Sequence, residues 1–357
     1  MESLAVSNRA TEATWALSEY QFTLPAELIA QVPAERRDGA RLMVLDRARG
    51  TLQQSHVHAL PEHLRQGDLL VVNDTKVIPA RLFGRTASGA AVELLLIRPL
   101  AAPNWLCLGK PGRRLREATA IHFAGEVRAT VTAIHGNGHY SIAFDDAAPV
   151  HALLERHGEI PLPPYIRRPD GPLPLDRTRY QTIFASKPGA IAAPTAGLHF
   201  TDELITALQQ KGVSLARLTL HVGPGTFLPV RRDDFRQHTM EAEWYEIPEP
   251  TAMRITETKA AGGRVVAVGT TTTRALESAA AMHGAVQAGA GWAHLFITPG
   301  HQFRIIDALF SNFHLPGSTL LLLVSAFAGR APILAAYAEA VRRRYRFYSY
   351  GDAMLLQ

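Results

Sequence analysis

Cysteine is almost missing from this chain: Cys107 is the one thiol in 357 residues. No internal disulfide can form, and no thiolate set for structural zinc exists, which predicts a cytoplasmic protein. Lysine is nearly as scarce. It occurs at positions 76, 110, 187, 211 and 259 against a Lys plus Arg total of 37, so the positive charge resides on guanidinium groups, which grip phosphate in a planar fork. The net charge of +5 is mild for this length and permits a nucleic-acid partner without demanding one. Long apolar runs are absent as well. The strongest, Thr319 to Ala328, falls far short of the ~20 residues that cross a bilayer, and no membrane association is expected. Met1 to Ser18 has neither a basic start nor a continuous apolar segment, so residues 1–19 read as a flexible tail and not as a secretory signal. What is present, 47% hydrophobic and 19% charged residues, suits a folded chain of two domains of about 150 residues each.

Between Asp68 and Phe144 short β-rich runs follow one another closely: Leu69–Val72, Ala80–Phe83, Ala91–Ile97, Trp105–Leu108, Ala120–Phe123 and Val127–Ile134. Asn137-Gly138 is a hairpin signal, because both residues tolerate positive φ. The spacing predicts a small antiparallel β-barrel over residues 68–150. Glu159 to Leu175 then carries six prolines, which excludes helix and central strand and leaves a rigid connector. Beyond Ala185 the texture alternates. Thr201 caps a helix with Leu204, Ile205 and Leu208 on its apolar stripe and Gly212 at its end. A strand spans Arg217–Val222, another Arg264–Val268, with a helix starting near Arg274, and a third His294–Ile297; two helices, Ser318–Ala328 and Pro332–Arg344, follow. Such alternation predicts an α/β domain with a largely parallel sheet. It comprises residues 20–67 and 151–357, with a short helix at Ala26–Gln31 and a strand at Arg41–Leu45, and the barrel is inserted into it.

In open α/β sheets ligands collect beyond the carboxyl ends of the strands. Two segments fall there. His221 to Phe227 contains Gly223, Gly225 and Thr226, a turn that lets a ligand approach the backbone. Gly269-Thr270-Thr271 leads through two more threonines to Arg274, a hydroxyl-rich turn opening a helix, suited to a carboxylate, phosphate or ribose. Gly223-Pro224-Gly225 lacks the third glycine of the dinucleotide fingerprint, and Pro224 removes a donor, which argues against a Rossmann methyltransferase. Of fifteen histidines, His199, His221 and His314 lie on loops of one domain, where function concentrates. His56 and His58 share a strand face without a third ligand, so no metal is expected. The basic run Lys110 to Arg116 in a barrel loop, with Arg113 and Arg114 inside it and Arg81 and Arg85 nearby, suits contact with phosphates.

Taken together, Asn73–Leu82, Pro161–Ile166, Tyr180-Gln-Thr182, Ala193–Thr201, Thr219–Phe227, Val268–Thr271, Asn312–Pro316 and Tyr345–Leu355 resemble the S-adenosylmethionine:tRNA ribosyltransferase-isomerase family over essentially Tyr20 to Leu356. The resemblance implies an α/β domain with an inserted barrel. It implies an enzyme of queuosine biosynthesis that moves the ribosyl part of S-adenosylmethionine onto 7-aminomethyl-7-deazaguanine at the tRNA wobble position. There the ribosyl group becomes an epoxycyclopentane, and adenine and methionine leave. S-adenosylmethionine would then be a co-substrate and tRNA the partner, with no permanently bound cofactor and a monomeric protein. Such chemistry needs a base for the ribose 5′ proton and an acid for adenine. Neutral histidine suits the first task, which singles out His199 and His221, with His314 behind them. Glu243 is expected to face the sulfonium or the aminomethyl group, Arg274 and the turn at Gly269 the methionine carboxylate, and Glu277 the ribose hydroxyls; Thr195, Gly197 and Asn312 complete the expected substrate contacts. An RNA-binding module, a nucleoside hydrolase and a methyltransferase are the competing readings, distinguishable by whether adenine and methionine are released and whether tRNA is needed.

Overall fold

A computed structural model of the chain describes residues 15–145, 150–227 and 232–357. Seventeen strands are described. The first four are β1 (Arg41–Asp46), β2 (Thr51–His56), β3 (Leu69–Asn73) and β4 (Thr75–Val77). Six more, β5 (Arg81–Thr86), β6 (Ala91–Pro99), β7 (Asn104–Lys110), β8 (Ala120–His122), β9 (Arg128–Gly136) and β10 (His139–Phe144), close a barrel in the order β10-β7-β6-β5-β8-β9. Its neighbours all pair antiparallel. Alternation builds it: Leu82, Leu94, Cys107, Ile121, Val131 and Ile142 point inward and are buried, while residues between them face out. The thiol of Cys107 is pushed up to about 12 by burial and is inert.

The remaining strands are β11 (Lys187–Ala190), β12 (Ser214–Leu220), β13 (Glu243–Ile247), β14 (Val265–Val268), β15 (Gly289–Ala293), β16 (Ala308–Asn312) and β17 (Ala353–Leu356). β11 and β4 form a small parallel pair. The main sheet runs β15-β13-β12-β3-β14-β16-β17-β1-β2. Its four central strands, β12-β3-β14-β16, are parallel, and every residue of β3, β14 and β16 is buried, as parallel strands covered on both faces must be. Leu69 and Val71 face the layer containing Ile255, Leu276 and Leu322, whereas Leu70 and Val72 face Phe200, Leu204 and Leu208. The sheet is thus the middle of three layers.

Several expectations are corrected. Leu69–Val72 does not open the barrel; its unbroken apolar character places it at the centre of the large sheet, and the barrel begins at Arg81. The sheet is mixed, because β2, β13 and β15 pair antiparallel at its edges and β17 antiparallel to β16. The expected strand at His294–Ile297 lies earlier, at Gly289–Ala293, where all of β13 finds partners. The helix expected from Arg274 begins at Thr270. The last helix spans Arg330–Arg342, and the one expected at Ala26–Gln31 is a single tight turn, Ala26–Leu28. Of the expected tail, residues 1–14 lie outside the described residues; Trp15 and Leu17 are docked, Trp15 edge-on to Phe235 and the Leu17 amide on the Asp233 carbonyl. Thr201 and Ser318 do cap their helices, accepting from the amides of Leu204 at 3.1 Å and Leu321 at 3.2 Å.

The proline-rich connector is tied to the barrel by Glu159, which exchanges two backbone hydrogen bonds with Arg81. Just before it, Gly158 ends the helix Val150–His157, and a Cβ there would overlap the Pro79 carbonyl oxygen. Gly158→Ala should cost about 1–3 kcal/mol through overpacking, read as a lower denaturant midpoint. An unchanged midpoint would show that this crossing does not constrain the barrel.

Candidate active site

Gly269 ends β14 with φ +92°, a conformation that favours glycine, and turns the chain directly into the helix Thr270–His283. Thr272 and Thr273 are buried and send their hydroxyls back to the carbonyls of Val268 at 2.7 Å and Gly269 at 3.1 Å. That leaves Thr270 and Thr271 at the rim, where the first amides of the helix have no acceptor one turn earlier. The pocket they edge is also lined by Tyr165, Ala193, Thr195, Ala196, Val222, Ser311, Asn312, His314, Leu320, Tyr348 and Ser349. A second chamber shares Thr270, Thr271 and Leu320 with it and adds Met240, Glu243, Arg274, Leu295, Phe296, Thr319 and Leu323. In it the buried Thr319 hydroxyl has no hydrogen-bond partner. The chambers hold about 40 and 20 Å³. A far larger cleft of about 1050 Å³ lies between the barrel and the proline-rich connector.

His199 is buried beneath the pocket wall. Its Nε2 accepts from Asn312 Nδ2 at 3.1 Å, and Asn312 Oδ1 accepts from the Thr195 hydroxyl at 2.9 Å. Thr195 and Asn312 line the pocket but His199 does not, so it fixes the amide and touches no ligand there. His314 does line the pocket, with Nε2 2.9 Å from the Ser311 hydroxyl and its amide donating to Tyr337 Oη. Burial lowers His199 to about 4 and His314 to about 3, so both are neutral at pH 7. His221 points elsewhere. Val222, its neighbour, lines the pocket, while the His221 ring stacks on Trp244, bonds Thr75 Oγ1 through Nδ1 at 2.8 Å and packs over Gly189; burial lowers its pKa too.

Arg274 and Glu277, expected at the methionine carboxylate and the ribose, are bonded to protein groups, and Glu243 is the partner of the first. Arg274 donates to Glu243 Oε2 at 2.5 Å and to the carbonyls of Glu241, Ala293 and Leu295, so its fork is not open to a ligand carboxylate. Burial raises the Glu243 pKa against the pull of Arg274 and of the Gly223 amide, which donates to Oε1 at 2.9 Å. Glu277 accepts from the amides of Arg304, Ile305 and Ile306; against the cost of burial these bonds and His301 hold its carboxyl below the usual range. It anchors that loop instead of meeting a ribose. Gly197 serves packing, since a Cβ would lie 3.0 Å from Thr182 Cγ2, and Gly225 sits against Glu241. The Thr226 side chain lies outside the described residues.

On the barrel, Arg81 forms a two-pronged pair with Glu93 at 2.8 and 3.1 Å, shared by Lys110 at 3.1 Å. Arg114 donates to the Ala91 carbonyl and Arg85 to the Gly89 carbonyl. Arg85, Arg113 and Arg116 are exposed. Among the described residues no group of three or more His, Cys, Asp or Glu is placed to hold a metal ion. Sequence reasoning missed Tyr165, Ser311, Tyr348 and Ser349 in the pocket wall. Tyr165, Tyr348 and Ser349 sit in segments that carried the resemblance and Ser311 directly precedes one, and Tyr348, at φ +73°, marks a strained backbone of the kind that collects at functional sites.

A family model described as queuosine biosynthesis protein matches residues 17–356. The S-adenosylmethionine:tRNA ribosyltransferase-isomerase of Trichlorobacter lovleyi is 52% identical over 95% of this chain and 99% of its own. That of Gloeobacter violaceus is 50% identical over 97% of each. A solved structure, the S-adenosylmethionine tRNA ribosyltransferase of Thermotoga maritima, is 38% identical, covers 95% of this chain and 100% of its own, and superposes with a TM-score of 0.55.

Two outcomes follow from this geometry. His199 and His314 bind protons in the unfolded chain near pH 6.5 but not in the folded one until about pH 4 and 3. Stability is therefore full above that unfolded value and lost as pH falls through it, by up to ~1.4 kcal/mol per pH unit for each histidine. Urea midpoints at about pH 7.5 and 5 should show the drop, and His199→Asn with His314→Asn should flatten it; an equally steep drop in the double variant would contradict it. Glu243→Gln should cost about 3–5 kcal/mol, because it strands the buried Arg274 charge, and a loss below about 1 kcal/mol would show that the pair does not hold the site.

Proposed function

The chain belongs to the queuosine biosynthesis protein family, and from that premise we infer its reaction and the seats of its substrates. It is an S-adenosylmethionine-dependent tRNA ribosyltransferase-isomerase, a transferase that moves and isomerises the ribosyl moiety of S-adenosylmethionine onto 7-aminomethyl-7-deazaguanine at the tRNA wobble position. Epoxyqueuosine tRNA forms, and adenine and methionine are released. S-adenosylmethionine is consumed as a co-substrate, and no permanently bound cofactor enters the scheme. A tRNA substrate puts the protein in the cytoplasm, and no single helix among the described residues is long and apolar enough to cross a membrane. One copy of the chain carries every group used below.

One observation supports the placement. Ile191 and Pro224 line the large cleft, while Ala193 and Val222, two residues along the same segments, line the pocket beside Thr270 and Thr271. A base entering through the cleft would thus meet a ligand seated in the pocket across two short stretches of backbone. The amides of Thr270 and Thr271 receive the methionine carboxylate at the positive end of the helix. The methionine side chain takes the apolar chamber of Met240, Leu295, Phe296 and Leu323, where the Glu243 carboxylate stabilises the sulfonium. Thr195 and Asn312, held by His199, take the ribose hydroxyls. Both chambers are too small for a nucleoside as they stand, so binding parts their common wall at Leu320.

The sulfonium acidifies the ribose 5′ carbon, and His314 removes that proton. Among the described histidines it is the one lining the pocket, and in the neutral tautomer whose Nε2–H donates to the Ser311 hydroxyl its Nδ1 keeps a lone pair. Its low proton affinity makes the sulfonium the main source of activation.

The protein with S-adenosylmethionine and tRNA bearing the deazaguanine should release adenine and methionine together. S-adenosylhomocysteine instead, or adenine without tRNA, would overturn the assignment. His314→Ala should lower turnover about 100-fold or more with S-adenosylmethionine binding retained; turnover within about threefold of the parent would remove His314 from the proton transfer.

A further inference from the structure

Resting on the tRNA substrate assigned above, we propose that Phe83 is a stacking platform for an unpaired nucleotide of the anticodon loop adjoining the one that is modified. Phe83 is 49% exposed on a strand that alternates strictly, with Leu82 and Gly84 facing in. A lone exposed ring is ordinary on a protein surface; Phe83 differs in lining the large cleft among charged and apolar side chains. Its surroundings form an ordered set. Directly across the ladder from Phe83 is Glu93, across from Arg81 is Leu95, and on the third strand Lys110 and Leu108 continue the two rows. Glu93 holds Arg81 and Lys110 in place, and the Arg81 guanidinium lies over the Phe83 ring 4.9 Å from its centre.

All six side chains line the large cleft. The opposite wall is the proline-rich connector, which leaves the barrel at the Arg81–Glu159 bridge and brings Pro161, Pro163, Arg167 and Arg168 to the cleft. Proline rings offer apolar faces and no amide donors. Aromatic and apolar walls with cations beside them match the chemistry of single-stranded RNA, whose bases stack on rings while its phosphates meet guanidinium and ammonium groups. A double helix would not fit this use, because its bases are already stacked. Arg168 is held by Asp176, which leaves Arg81, Lys110 and Arg167 against Glu93 and Glu159, an excess of positive charge that favours a polyanion over a neutral or apolar peptide.

The test uses the full-length enzyme and saturating S-adenosylmethionine. Phe83→Ala should raise the KM for tRNA about tenfold, from the loss of one base stack, with kcat within about twofold, and Phe83→Tyr should restore the KM. A change of less than about twofold in KM for Phe83→Ala would overturn the proposal, as would an equal loss in kcat with KM unmoved. The Phe83→Trp variant supplies a readout that a structural role would not move: its indole emission should change on titration with an unmodified anticodon stem-loop RNA and not with a duplex of equal length. Equal response to both, or response to neither, would contradict base stacking. That titration needs no catalysis, so its failure is separable from failure of the proposed reaction, which adenine release by the unaltered protein reads on its own.

Discussion

A single buried guanidinium holds the pocket end of the sheet together. Arg274 leaves the helix Thr270–His283 and bonds the Glu243 carboxylate on β13, the carbonyl of Ala293 at the end of β15 and the carbonyls of Glu241 and Leu295. Through Glu243 it reaches the amide of Gly223 after β12. Three separate stretches of chain are therefore fixed against the helix that carries this side chain. Removing two ions from water is costly, and such a pair specifies geometry more than it adds stability. Here the geometry it specifies is the relation between the helix N-terminus, with its free amides, and the turn that separates pocket from cleft.

Much of the fold is legible in the sequence, for identifiable reasons. The barrel is visible because its strands are half buried and alternate, and the turns between them carry glycine and asparagine. The βα unit at Val265–Thr273 and the caps at Thr201 and Ser318 are visible because local chemistry dictates them. Leu69–Val72 misleads because a continuous apolar run cannot say which sheet will bury it. Gly289–Ala293 hides because a glycine-rich edge strand has almost no side chain to announce it; only the register with β13 reveals it.

The site was legible as segments and not as roles. Thr195, Gly269, Thr270, Thr271, Asn312 and His314 do meet around one pocket, although they are far apart in the chain. Arg274, Glu277 and His199 illustrate the limit. Each is polar and has the residue type the chemistry asks for, yet each is spent on neighbouring protein groups. Residue type announces capacity for a bond, whereas only packing shows which partner takes it. His221 fails for a simpler reason: in an extended segment adjacent side chains point to opposite sides, and Val222 took the pocket side.

In the proposed complex S-adenosylmethionine seats its carboxylate on the amides of Thr270 and Thr271, with the ribose between Asn312 and the wall formed by Leu320. A crystal structure of the protein with S-adenosylmethionine and an anticodon stem-loop tests this most directly. Ligand density is expected at the turn following Gly269, with the sulfonium toward Glu243 and RNA in the cleft beside Phe83. Density for the sulfonium compound inside the barrel, or on the far side of Trp244 against His221, would contradict it.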